Sequence, residues 1–142
     1  MTVYSFEPFG YDGKDILIET DRRKAGDGFP AYDVVGLSDN ICKDAKQIVQ
    51  DAFNSSGIDF YSSKQTEHIL QSLSPADIKK RGFHHTAAMA ASILGYKQKG
   101  EPVMVLGELD SEGNMHPVRG AHAAVSYATA VGMKVIVPEE NL

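Results

Sequence analysis

Ser38-Asp39-Asn40-Ile41-Cys42-Lys43-Asp44-Ala45-Lys46-Gln47-Ile48-Val49-Gln50-Asp51-Ala52-Phe53-Asn54-Ser55-Ser56-Gly57 is the stretch whose periodicity is clearest. Its apolar side chains fall at Ile41, Ala45, Ile48, Val49, Ala52 and Phe53, a spacing that puts them on one face of a helix. Ser38 can cap the start, Asp39 suits the positive helix end, and Gly57 stands where a left-handed terminator belongs. Lys43, Lys46, Gln47 and Gln50 fall on the water-facing side. A one-faced helix needs a sheet or another helix to cover its apolar stripe, so the flanks decide the architecture.

Upstream, Val3–Phe9 is aromatic and β-branched and reads as a strand, Ile16–Ile18 as a second and Ala31–Val35 as a third. Gly10–Gly13 breaks the first pair, and charged Asp21–Gly28 reads as a loop. Short turns between three strands predict an antiparallel meander. Downstream, Glu67–Leu73 reads as a strand and Ser74–Asp77 as a turn. Thr86–Leu94 reads as an alanine-rich helix ended by Gly95, and Val103–Leu106 as a buried strand. A hairpin turns at Asp110–Asn114 and returns through Met115–Val118, with Pro117 suited to an edge. Ala121–Val131 is a second alanine-rich helix, with Gly132 after it, and Lys134–Val137 a last strand stopped by Pro138. This order predicts a two-layer mixed α/β domain (α+β), helices covering a mainly antiparallel sheet.

The 142 residues suit a single domain, 1–142. Apolar residues make up 42% and charged residues 23%, a balance that supports a core without metals or disulfides. A net charge of −5 disfavours general nucleic-acid binding. The lone Cys42 cannot form an internal disulfide, which points to a reducing, cytoplasmic setting. No apolar run is long enough for a membrane span, so no membrane partner is expected.

Several stretches together resemble the amino-terminal domain of the magnesium-chelatase-subunit-I-like family of ComM/YifB type. Gly28 to Asp39 (GFPAYDVVGLSD) is similar to its G-L-P-A-F-x-I-V-G-L-P-D signature, and Ser74-Pro75-Ala76-Asp77 to its A-P-A-D turn. Gly107-Glu108-Leu109, Gly113 and Pro117-Val118-Arg119-Gly120 resemble its G-E-L-x-x-x-G-x-x-x-P-V-R-G block, and Val135–Asn141 closes the domain as that family does. The resemblance implies a fold like the Lon proteolytic domain and the second domain of ribosomal protein S5. It also implies an AAA+ ATPase module in the same or a partner chain, with ATP and magnesium belonging to that module rather than to this chain. A homo-oligomer, and nucleic acid reached through the assembly in DNA recombination or remodelling, are further implications. Gly13-Lys14 is followed by Asp15, with no glycine five positions before Gly13, so no Walker loop is present in this sequence. The chain ends near where the family's linker to the ATPase would begin.

Lon-type proteases pair a serine with a lysine, since the hydroxyl needs a neighbouring base to lose its proton. On that pattern the serine position falls at Thr86 or Ala87 and the lysine position at His122, so the Lon dyad is absent. No catalytic residue is expected, and the leading expectation is a non-catalytic accessory domain. Its contacts would run through Arg119 and a cleft around His85, Thr86 and His122. The alternatives are a Lon-like hydrolase using Thr86 and His122, and a nucleic-acid-binding module through Arg22-Arg23-Lys24 and Lys79-Lys80-Arg81, whose cations would meet phosphates. Arg119 is a candidate partner for Glu108, and Gly120 permits a tight approach into the helix. Metal binding is not expected: His84 and His85 are adjacent, and neighbours seldom converge on one ion. Cys42 reads as core packing.

Overall fold

The structure, a computed structural model, describes residues 2–10, 12–24, 31–58, 67–95 and 100–142, with the backbone alone for Lys24. The chain runs β1 (Val3–Phe9), β2 (Asp12–Lys24), β3 (Ala31–Val35), α1 (Asp39–Ser55), β4 (Glu67–Ser74), α2 (Thr86–Leu94), β5 (Val103–Val105), β6 (Glu108–Leu109), β7 (Met115–His116), α3 (Ala121–Val131) and β8 (Lys134–Ile136), then a short 3-10 turn over Glu139–Asn141. Six strands form one sheet in the order β3-β4-β2-β1-β5-β8, and β6 and β7 form a separate hairpin. The two long ladders, β1 with β2 and β2 with β4, are antiparallel. The shorter pairings of β3 with β4, β1 with β5 and β5 with β8 are parallel.

The expected three-strand meander is not formed. β1 and β2 make a hairpin, but β3 lies at the sheet edge beside β4, in parallel. A chain that crosses over through a helix returns parallel to the strand it left. Here α1 carries it from β3 to β4, and β4 takes the place next to β2. The expected loop at Asp21–Gly28 is also corrected in part. Asp21 to Lys24 continues β2 in register with β4 as far as Lys24 opposite Glu67. Its charges are compensated in place, Arg22 by Glu67 at 2.6 Å and Arg23 by Asp21 at 2.7 Å. Residues 25–30, including Gly28, Phe29 and Pro30 of the signature, lie outside the described residues.

α1 buries Ala45, Val49, Ala52 and Phe53, the face the periodicity marks. Ser38 occupies the N-cap, but its side chain makes no cap bond; its carbonyl instead accepts the amides of Ile41 and Cys42 at 3.0 and 2.9 Å. Gly57 adopts φ +76°, as a left-handed terminator does. Gly95 after α2 does not, with φ −102°. Cys42 is half-buried and points its thiol at the Val34 carbonyl.

Side-chain alternation along the strands divides the core. Val3, Ile16, Ile18, Val103 and Val105 pack with α1 and α2 on one face. Phe6, Met104 and Leu106 pack with Ala124 and Ala128 of α3 on the other, where the Phe6 and Tyr127 rings lie 5.9 Å apart. The main body is thus the expected two layers, and α3 backs the β1–β5–β8 end from behind. The alanines of α2 let its backbone lie close on the sheet, where Ala88 and Met89 are fully buried. Ser5 and Glu7 alternate with Phe6, so they share Val3's face and point toward α2.

Candidate functional site

A carboxylate on the core face of β1 must find donors, because a buried unpaired charge costs far more than it can return. Glu7, 2% exposed, finds three. Its Oε1 accepts the Nε2 protons of His84 and His85, each at 3.0 Å, and the backbone N–H of Arg81 at 3.0 Å. On the far side of the His85 ring, Nδ1 lies 2.6 Å from the buried Ser5 hydroxyl. Burial alone would raise the Glu7 pKa, but the hydrogen bonds from His84 and His85 outweigh it and hold the carboxyl at about 2. Burial drives His85 down to about 4, more than its bond to Glu7 restores. His85 is therefore neutral at pH 7. With Nε2 donating to a carboxylate, its Nδ1 accepts from Ser5.

The adjacent histidines do converge, against the sequence expectation. Gly82, at φ +72°, turns the chain ahead of them, and the two rings lie 4.1 Å apart with both Nε2 atoms on one oxygen. His85 then stands at the N-cap of α2.

Thr86 and His122 are not brought together. The Thr86 hydroxyl, 1% exposed, donates to the Phe83 carbonyl at 2.7 Å and accepts the Leu109 N–H at 2.8 Å. His122 is exposed on α3, and among the described residues it has no hydrogen bond or ion pair. The bond from Leu109 and one from Ala87 N–H to the Gly107 carbonyl stitch the β6–β7 hairpin to the start of α2. That seam needs glycine at 107: a Cβ there would stand 2.7 Å from Met115 Cε, at a φ of +146°.

Arg119 makes no ion pair with Glu108, although both line one pocket of about 380 Å³ with Pro8, Arg81 and His84. Among the described residues neither the Arg119 nor the Arg81 guanidinium has a partner. Gly120 permits the approach expected of it, since a Cβ at its φ of +79° would meet Pro8 Cβ at 2.5 Å. Within the two basic clusters the cations are placed differently. Arg22 and Arg23 are paired with carboxylates, and Lys80 is buried with its ammonium on the Pro75 carbonyl. Burial also lowers the Lys80 pKa. Lys79 and Arg81 remain exposed, and the side chain of Lys24 lies outside the described residues.

The sequence matches the family described as subunit ChlI of Mg-chelatase over residues 18–141. The chain belongs to that family. An uncharacterized protein of Mycobacterium tuberculosis is 34% identical over 139 residues, 94% of this chain and 26% of the relative. The protein YifB of Escherichia coli, also uncharacterized, is 28% identical over 144 residues, 98% of this chain and 27% of the relative. The chain spans about a quarter of the length of these curated relatives.

Ser5 and Glu7 escaped the sequence reading of this Mg-chelatase-family domain. A partial signal was present: Val3, Ser5 and Glu7 share one face of the strand and Tyr4 and Phe6 the other, so a strand covered on both faces must bury Glu7.

Proposed function

We propose that this domain is a non-catalytic accessory domain of a Mg-chelatase-like AAA+ ATPase of ComM type, serving DNA recombination or remodelling in the cytoplasm through that assembly. The observation that carries the proposal is the state of Thr86. In the Lon-like arrangement the nucleophile stands at the start of this helix, and the hydroxyl there is buried and spent on two backbone groups. A nucleophile must give its proton to a neighbouring base, and the Thr86 proton is held by a backbone carbonyl instead. Family membership supports the ATPase context, and the relatives carry about three quarters of their length beyond the matched part, room for such a module. ATP and magnesium are bound by that module. The unpartnered Arg81 and Arg119 at the rim of the pocket are the contacts this domain offers it, or a second copy in a ring.

The test is to mix the chain with the ATPase module encoded beside or after it. The chain alone cleaves no fluorogenic peptide and hydrolyses no ATP. Adding it changes the module's ATPase rate several-fold, and Arg119→Ala weakens that effect. A peptidase activity that Thr86→Ala removes would sink the proposal, as would an ATPase rate indifferent to the domain.

A further inference from the structure

The accessory role makes no use of Ser5, Glu7, His84 and His85, and their arrangement exceeds what joining β1 to α2 requires. Three ligand atoms, Glu7 Oε1, His84 Nε2 and His85 Nε2, lie within 4.8 Å of one another. Both nitrogens stand 3.0 Å from the oxygen. Tetrahedral zinc, with bonds of about 2.0–2.1 Å, holds neighbouring ligand atoms roughly 3.3 Å apart. The two oxygen–nitrogen edges therefore need to open by only a few tenths of an ångström. The third edge joins imidazoles whose rings are already 4.1 Å apart.

The distribution of donors also favours an ion. A buried carboxylate held for structure alone can spread its donors over both oxygens. Here all three crowd onto Oε1, and among the described residues Oε2 has no hydrogen-bond partner although the side chain is 2% exposed. Among the described residues no Lys or Arg side chain makes a salt bridge with the carboxylate. Lys80 is turned to the Pro75 carbonyl, and only the backbone of Arg81 reaches Glu7.

We propose that Glu7, His84 and His85 bind one divalent transition ion of the zinc class, with a fourth coordination position facing the pocket that His84 lines. Two imidazoles and one carboxylate are a donor set that suits zinc and leaves a place for water or for an oxygen of a ligand. Ser5 is the positioning residue. On binding, His84 and His85 each give up the Nε2 proton to solvent, and the His85 ring takes a proton on Nδ1, which then donates to Ser5 Oγ at the present 2.6 Å. The hydroxyl changes from donor to acceptor by rotating, and the ring need not move. Such an outer partner fixes the tautomer that presents Nε2 to the metal. Arg81 and Glu108 stand on the wall of the same pocket, ready to meet a polar ligand of the ion.

The experiment is a titration of the metal-stripped chain with cobalt(II), read by its ligand-field absorption and by calorimetry, followed by displacement with zinc(II). One equivalent binds, with the strong visible bands of four-coordinate cobalt, and zinc removes them. His84→Ala abolishes the bands. Ser5→Ala weakens binding by about 10–100-fold without removing any ligand. His116→Ala, at a surface histidine, leaves binding unchanged. Should His84→Ala fail to fold by circular dichroism, His84→Gln keeps a donor to Glu7 while removing the imidazole and answers the same question. Absence of cobalt bands in the parent chain, or bands that survive loss of the His84 imidazole, overturns the proposal.

Discussion

Among the described residues carboxylate meets histidine in three places, and two of them have opposite outcomes. In the core, Glu7 meets His84 and His85 at 3.0 Å, and its side chain and that of His85 are each 2% exposed. On the β6–β7 hairpin, Asp110 meets His116 at 2.7 Å, with side chains 34% and 51% exposed. Both carboxyls are held at about 2, Glu7 by its histidines against burial, Asp110 by the His116 bond and then the Asn114 amide. The histidines diverge. Burial drives His85 down to about 4, whereas the bond to Asp110 raises His116. Hydrogen bonds decide the fate of the anion in either place, but access to water decides the fate of the cation. The core sets a neutral His85 against an anion, and the surface favours the protonated form of His116 beside one.

The largest expected difference comes from removing the carboxylates. Glu7→Ala leaves three donors facing an apolar hole, at a cost of about 3 kcal/mol or more. The urea midpoint of the metal-free chain at pH 7 reads this directly. Asp110→Ala opens a turn whose amides water can reach, and its midpoint shift is much smaller. Equal shifts in the two variants would break the comparison.

Acid comes next. Between about 4 and 6.5 the unfolded chain binds a proton at His85 that the folded chain refuses, so stability rises with pH across that window and is lost as pH falls through it. Glu7 extends the loss from its unfolded value of 4.5 down toward about 2. Each step is on the order of a few kcal/mol, since one pKa unit corresponds to about 1.4 kcal/mol. Urea midpoints measured in chelator from pH 7 down to pH 4 should decline steadily. A flat profile over that range would mean that His85 is as wet as His116.

Periodicity fixed the helices in the sequence, because an apolar stripe at Ile41, Ala45, Val49 and Phe53 has one helical explanation, and the boundaries of α2 and α3 came out as read. It could not fix strand neighbours. Ala31–Val35 is the same strand whether β2 or β4 lies beside it, and the choice is made by a crossover that only the folded chain displays. The charged tail of β2 misled for a related reason. Arg22 looks like loop composition until Glu67, 45 residues away, is placed opposite. At the site, Thr86 was found as a helix start and His85 as a neighbour of interest. Their partners Ser5, Glu7 and Leu109 came from distant segments, so the closing of the Thr86 hydroxyl and the meeting of two adjacent histidines on one oxygen were not legible.

The smallest effect belongs to the surface pair, and its signature is in conditions rather than size. His116 titrates higher folded than unfolded, so its contribution is complete below the unfolded value of 6.5 and is lost as pH rises through the folded one. That is the reverse of the core. The gap between parent and His116→Ala in thermal midpoint should be widest near pH 6 at low salt and should close by pH 9. It should also shrink in about 1 M salt, where the Debye length falls to about 3 Å and dissolved ions compete for exposed charges. Glu7→Ala, measured beside it, should keep its deficit in the same salt, because bulk salt screens a carboxylate that is 2% exposed only weakly. If both deficits fell together with salt, the core cluster would be exchanging with solvent, and the division between a buried interior knot and an exposed surface clasp would fail.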